Sequence, residues 1–283
     1  MSKLKYPFLS CLLIFLSACG GGGGDSSSQS GSSSSQSVVV NDCSRLTYTQ
    51  VGNYSVSANN WGILSGTQGY TNCVTMKDAG NNAVSATFNW NFGNLVGTPV
   101  LAYPSVNYGA KPGQPATTTA LPKTLSQLNS FVVSWDYTLT HGSGSDSGNV
   151  LIDNWITSTP NHIRNTPNGY LASEGVAVEL MIFLDNWGSQ WATYYLKWPI
   201  VTINGKQYYF YGGLEHGNMY AASFFPVSKP GTVGSLDLVP FLNYLTANNL
   251  ISNSLYFANT EFGNEIKQGS GTMTINSYSV QQK

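Results

Sequence analysis

Ala177-Val178-Glu179-Leu180-Met181-Ile182-Phe183-Leu184 decides the fold. Side chains of a strand alternate between its two faces, so Val178, Leu180, Ile182 and Leu184 form one apolar face that must enter a core. The other face carries Ala177, Glu179, Met181, Phe183 and then Asp185. A carboxylate in mid-strand, flanked on its own face by Met and an aromatic ring, does not read as a solvent face. It reads as the floor of an aromatic-lined groove. A strand-edge Glu with chance apolar neighbours is the plainer alternative.

Similar short segments recur on both sides, at 46–51, 86–92, 131–138, 150–156, 191–203, 207–211, 219–225 and 273–280, separated by Gly, Asn, Pro and Ser clusters. That spacing belongs to an all-β sandwich or barrel. One helix is expected, because Leu238, Phe241, Leu242 and Leu245 fall at helical spacing, with Asp237 as its cap and Asn248-Asn249 at its end. No internal repeat is visible.

Two further segments present acids. In Thr260-Glu261-Phe262-Gly263-Asn264-Glu265-Ile266 the two glutamates and Gly263 share a face, and the glycine would let a ligand approach the backbone. Parity does not choose between Glu261 and Glu265. In Asn149-Val150-Leu151-Ile152-Asp153-Asn154-Trp155, Asp153 and Trp155 share the face opposite Val150 and Ile152. Sugar polymers are held by aromatic faces and cut between two carboxyls, and this inventory suits that chemistry. His141, His162 and His216 lack metal-ligand spacing, and no Gly-x-Ser-x-Gly elbow is present.

Composition bounds the reading. The 283 residues include 30 Gly, 7 Trp, 17 Tyr and 12 Phe, yet only 9% are charged and the net charge is −1. Such a chain has no long-range field to draw in nucleic acid. It is neither a coiled coil nor a polytopic membrane protein, and it has ample core material for a folded domain.

The start of the chain reads as an address. Lys3 and Lys5 precede an apolar run over 8–16, too short to span a bilayer but suited to a signal-peptide core. Leu16-Ser17-Ala18-Cys19 is similar to a bacterial lipobox, which implies a signal peptide over 1–18 and a lipid on Cys19, with Gly20 favouring the outer membrane. Residues 19–37 are Gly- and Ser-rich and read as a flexible tether. Cys11 leaves with the signal, so Cys43 and Cys73 remain to form a disulfide, worth about 3–4 kcal/mol in the chain-entropy model.

Taken in order, several segments resemble glycoside hydrolase family 12, the jelly-roll endoglucanases and xyloglucanases. They are Cys43, Asn59-Asn60-Trp61-Gly62, Cys73-Val74-Thr75, Asn149 to Asp153, Glu179 to Phe183, Met219 to Phe224, the 237–245 helix, and Phe262 to Ile266 with Gly269-Ser270-Gly271-Thr272. The resemblance implies a catalytic domain over 38–283 built as a jelly-roll sandwich of two curved antiparallel sheets with one short helix. It implies Glu179 as nucleophile, Glu265 as general acid/base and Asp153 as the acid supporting the nucleophile. Trp61 would be a sugar-stacking platform, with Asn59 beside it, Met181 and Phe183 on the floor and Trp155 in the groove.

Phe183 stands where the family usually has Trp. The segment 157–175 looks longer than the usual loop, and 184–199 is unusual. The implied partner is a β-glucan polysaccharide, met by a monomer that touches membrane only through its lipid and needs no metal or organic cofactor. A non-catalytic glucan-binding lipoprotein and a xylanase of the related jelly-roll family are the alternatives on the same fold.

Overall fold

The structure is a computed structural model that describes residues 39–44, 46, 48–97, 100–142, 145–160, 175–188, 195–215 and 219–283. Cys19, the signal and tether segments, His216 and all of 161–174, His162 included, lie outside the described residues.

Among the described residues, fifteen strands and one α-helix follow in chain order. They are β1 (Val39–Asp42), β2 (Thr49–Val51), β3 (Tyr54–Ser57), β4 (Thr71–Gly80), β5 (Ala83–Val96), β6 (Ser105–Gly109), β7 (Lys123–Thr124) and β8 (Phe131–His141). Then come β9 (Ser147–Thr157), β10 (Val176–Trp187), β11 (Ile200–Ile203), β12 (Lys206–Glu215), β13 (Met219–Pro226), β14 (Val233–Asp237), α1 (Val239–Ala247) and β15 (Tyr256–Gln282).

The expected two-layer sandwich is present, and β15 joins its layers. The first half of β15 lies between β6 and β9, the second half between β5 and β8. Hydrogen bonding therefore runs through all fifteen strands. One layer carries β9, β10, β13, β12 and β11 in that order beyond β15; the other carries β1, β4, β5, β8 and β14. The pairing is antiparallel except between β10 and β13, because the chain passes through β11 and β12 before inserting β13 beside β10.

Local sequence explains the turns. Asn81 and Asn82, both at positive φ, make the β4–β5 turn, and Asn204-Gly205 makes the β11–β12 turn, the residues that a tight hairpin demands. The core lies between the layers, where Tyr137 of β8 meets Phe262 of β15 edge-on at 5.8 Å. Helix α1 closes one side by setting Phe241 against Phe224 and Tyr208, at 5.0 and 5.1 Å. Asp237 sits one residue ahead of the cap position. Its carboxylate accepts the Val239 and Phe131 N–H groups, tying the helix start to β8.

The expected disulfide joins Cys43 and Cys73, beside the β1–β4 pairing. The segment 191–203, expected to be one strand, is instead a single 3-10 turn over Tyr195–Lys197 followed by β11, with 191–194 outside the described residues. Pro199 has no N–H to give a ladder, so the strand begins only after it, at Ile200.

Candidate active site

Register places the acids. Glu179 on β10 lies opposite Trp155 on β9, and Met181 lies opposite Asp153. Across the other edge of β9, Asp153 lies opposite Glu261 of β15 and Asn149 opposite Glu265. Directly paired residues project to the same side of a sheet, so Glu179, Asp153, Glu261 and Glu265 all stand on one face. The opposite face of these strands holds Val178, Leu180, Ile152 and Phe262, all buried in the core.

Exposure then sorts the four carboxylates. Glu179 and Glu265 are partly open to solvent, whereas Asp153 is 5% exposed and Glu261 is fully buried. The acids able to touch a ligand are thus Glu179 and Glu265, with Asp153 between them in the floor. A cavity of about 600 Å³ lies elsewhere, against Trp135, Ile182, Tyr208 and Leu236.

Burial raises the proton affinity of the three groove acids. Glu179 is pushed up to about 8 by desolvation, then by the charge of Glu265 and then of Glu215. Asp153 is held well above the usual carboxylate range by desolvation, with Glu179 and Glu261 adding to it and Lys111 opposing. Glu265 is raised by desolvation and moderated by Asn149, whose Nδ2 donates to Oε2 at 2.7 Å. The stronger upward push falls on Glu179, because Glu265 has that amide to steady its negative charge. Negative charge on Glu265 adds to the desolvation of Glu179, which favours holding a shared proton on the pair.

The remaining candidates occupy distinct places. Trp61 is 42% exposed, on the loop after β3. Gly62 N–H donates to Leu101 O, and Leu101 N–H donates to Ile266 O, so this loop is one backbone segment away from the strand bearing Glu265. Asn59 is 7% exposed and adopts φ 41°; its N–H donates to Ser57 Oγ and its carbonyl accepts the Tyr103 N–H. Trp155 is buried, with its indole N–H directed to Glu261 Oε1 at 3.2 Å. Met181 is partly exposed beside Glu179.

Phe183 shares the groove face but stacks on Phe225 at 3.7 Å, and Phe225 stacks in turn on Tyr195 at 4.7 Å. It is a covered layer of an aromatic pile rather than an open platform.

Two readings of the acid segment need correction. Glu261, which parity left as an equal candidate with Glu265, is wholly buried and ion-paired to Lys111. The space beside Gly263, expected to admit a ligand, is filled by the chain itself: a Cβ there would fall 2.1 Å from the Pro104 carbonyl. Sequence reading also passed over Lys111, Tyr103, Asn149 and Glu215. Only Asn149 carried a usable signal, since strand parity already put it on the face of Asp153; Lys111 lies in a Pro- and Gly-rich stretch that reads as a solvated loop.

Comparison with known proteins identifies the family. The profile of Glycosyl hydrolase family 12 matches residues 52–282. Xyloglucan-specific endo-beta-1,4-glucanase A of Emericella nidulans is 28% identical over 254 residues, covering 84% of this chain and 89% of its own. A probable xyloglucan-specific endo-beta-1,4-glucanase A of Aspergillus terreus is 28% identical over 243 residues, covering 84% and 86%. The crystal structure of Trichoderma harzianum endoglucanase 3, from the same family, superposes with a TM-score of 0.66 at 27% identity, covering 87% of this chain and 98% of that one. A family 12 xyloglucanase from Bacillus licheniformis, at 22% identity and a TM-score of 0.65 over 87% and 100%, shares the fold. The chain is a glycosidase and belongs to glycosyl hydrolase family 12.

Proposed function

We propose that the protein is a retaining endo-β-1,4-glucanase. The observation that carries this reading is the presence of two partly exposed glutamates, Glu179 and Glu265, on one groove face with buried Asp153 between them. In the first step Glu265 gives its proton to the glycosidic oxygen, the bond to the leaving sugar breaks, and the Glu179 carboxylate bonds to the anomeric carbon. In the second, the Glu265 carboxylate takes a proton from water, whose oxygen attacks that carbon and releases Glu179. The reactive state therefore has the shared proton on Glu265 and Glu179 ionised. Asp153 supports Glu179 from the floor, while Trp61, Asn59 and Met181 hold sugar rings.

The substrate is a β-1,4-linked glucan: cellulose, mixed-linkage glucan or xyloglucan. Xyloglucan is favoured by the likeness to the xyloglucan-specific glucanases of Emericella nidulans and Aspergillus terreus. The expected leader and Cys19 lipid would place the enzyme on a bacterial cell surface or in the periplasm, tethered by residues 19–37; loss of labelled palmitate uptake in Cys19→Ala tests that.

The activity itself is tested by reducing-end release on carboxymethylcellulose, barley glucan, xyloglucan and xylan, with the first-formed anomer read by NMR. Retained β configuration, abolished in Glu179→Gln, is expected. Initial formation of the α anomer overturns the mechanism, glucan binding without release favours the non-catalytic reading, and cleavage of xylan alone favours the xylanase.

A further inference from the structure

Glu261 is the groove-face acid that the two-glutamate reaction leaves without a task. Its carboxylate is fully enclosed by donors. Oε1 accepts from Lys111 Nζ at 2.6 Å, Trp155 Nε1 at 3.2 Å and Asn259 Nδ2 at 3.3 Å; Oε2 accepts from Lys111 Nζ at 2.8 Å, Ser105 Oγ at 2.8 Å and the Tyr48 hydroxyl at 3.4 Å. Lys111 is itself nearly buried, with 13% of its side chain exposed. Its ammonium lies 5.1 Å from the Tyr48 ring centre and 6.0 Å from that of Trp155.

Taking an ion pair out of water gains little stability over an apolar pair of the same shape. Where this pair sits gives it a consequence beyond stability. Glu261 lies directly opposite Asp153 in the β9–β15 register, and Trp155, which Glu261 holds, lies directly opposite Glu179 in the β9–β10 register. The pair therefore touches Trp155, the residue opposite Glu179, and lies across the register from Asp153.

We propose that Lys111 and Glu261 act together as a positioning unit for the reaction, a charge-compensated plate beneath the groove that fixes Trp155 and balances the charge felt by Asp153 and Glu179. The inference rests on the two-glutamate reading. On both Asp153 and Glu179, the negative member of the pair strengthens proton binding and the positive member weakens it, so each offsets the other. The other groups acting on these acids are Glu265 from β15, Glu215 from β12, and the Tyr103 hydroxyl, itself pushed up by burial and by Asp153.

Removing one member should give a signed response. Glu261→Gln leaves an uncompensated cation, and both limbs of the kcat/KM profile should move to lower pH by about one unit. Lys111→Gln leaves the opposite charge, and the limbs should move upward. The double substitution Lys111→Met with Glu261→Gln removes both charges and should return the limbs to their wild-type positions. A purely structural role would lower the height of the profile without moving it.

The experiment measures these profiles on soluble xyloglucan or barley glucan, with circular dichroism reporting folding. Unmoved limbs in a folded single variant overturn the proposal. So do displaced limbs in the double variant, which buries no charge and carries the test if neither single variant folds. A wild-type enzyme that releases no reducing ends from any β-glucan would instead sink the functional reading.

Discussion

Glu265 and Glu179 share a groove face but should fail differently when altered. Glu265→Gln removes the acid that protonates the leaving oxygen, so cleavage of a natural glucan should fall by about 10²–10⁴-fold. An aryl glycoside with a strongly acidic phenol needs no such proton, and its first step should be nearly spared. Comparing the two substrates by stopped-flow release of the phenol checks this; equal losses on both would remove Glu265 from the acid role. The Lys111–Glu261 pair sets a stability test at the same scale. Lys111→Met alone strands a buried carboxylate and should cost about 3–5 kcal/mol, whereas removing both charges should cost far less, as read by urea unfolding. Parity alone put Glu179, Asp153 and Glu265 on the correct faces. It could not separate Glu261 from Glu265, because what differs between them is a lysine 150 residues away in sequence.

Among the elements, β10 and α1 were legible because each carries a periodic pattern: alternation over the first part of the strand, and Phe241, Leu242 and Leu245 at helical spacing. Strand β3 was not, since Tyr54, Ser55, Val56 and Ser57 are all buried and show no contrast between faces. Strands β1 and β4 are anchored to each other by pairing and by the Cys43–Cys73 bridge, which two cysteines alone could suggest. Replacing both cysteines by Ser should lower stability by about 3–4 kcal/mol, and a matching loss should appear in the wild type under reductant. Thermal unfolding with and without dithiothreitol measures it; unchanged stability would mean that β1 adds little to the cooperative unit. The aromatic pile of Phe183, Phe225 and Tyr195 was also invisible to local pattern, because its rings come from β10, β13 and the 3-10 turn.

For the molecule as a whole, the groove carries a cost in proton binding that should be visible in unfolding. Glu179 rises from an ordinary 4.5 to about 8 on folding, and Asp153 and Glu265 rise as well. A carboxyl whose folded pKa is raised binds protons more tightly when folded, so its contribution is complete below the unfolded value and is lost as pH climbs through the folded one. Thermal stability should therefore fall between about pH 4.5 and pH 8, by roughly 3–6 °C. Glu179→Gln should flatten that slope and be the more stable protein at pH 8. A wild-type melting temperature that rises across this window would contradict the electrostatics of the groove.

The central claim is that Glu179 bonds to the sugar, and covalent trapping tests it most directly. The enzyme would be incubated with a 2-deoxy-2-fluoro-glucan oligosaccharide bearing a good leaving group, digested, and its peptides weighed. The account predicts a single added glycosyl mass on the peptide containing Glu179, removed slowly as activity returns. An active enzyme that is labelled on Glu265 or Asp153, or that stays unlabelled while turning over its substrate, would contradict it.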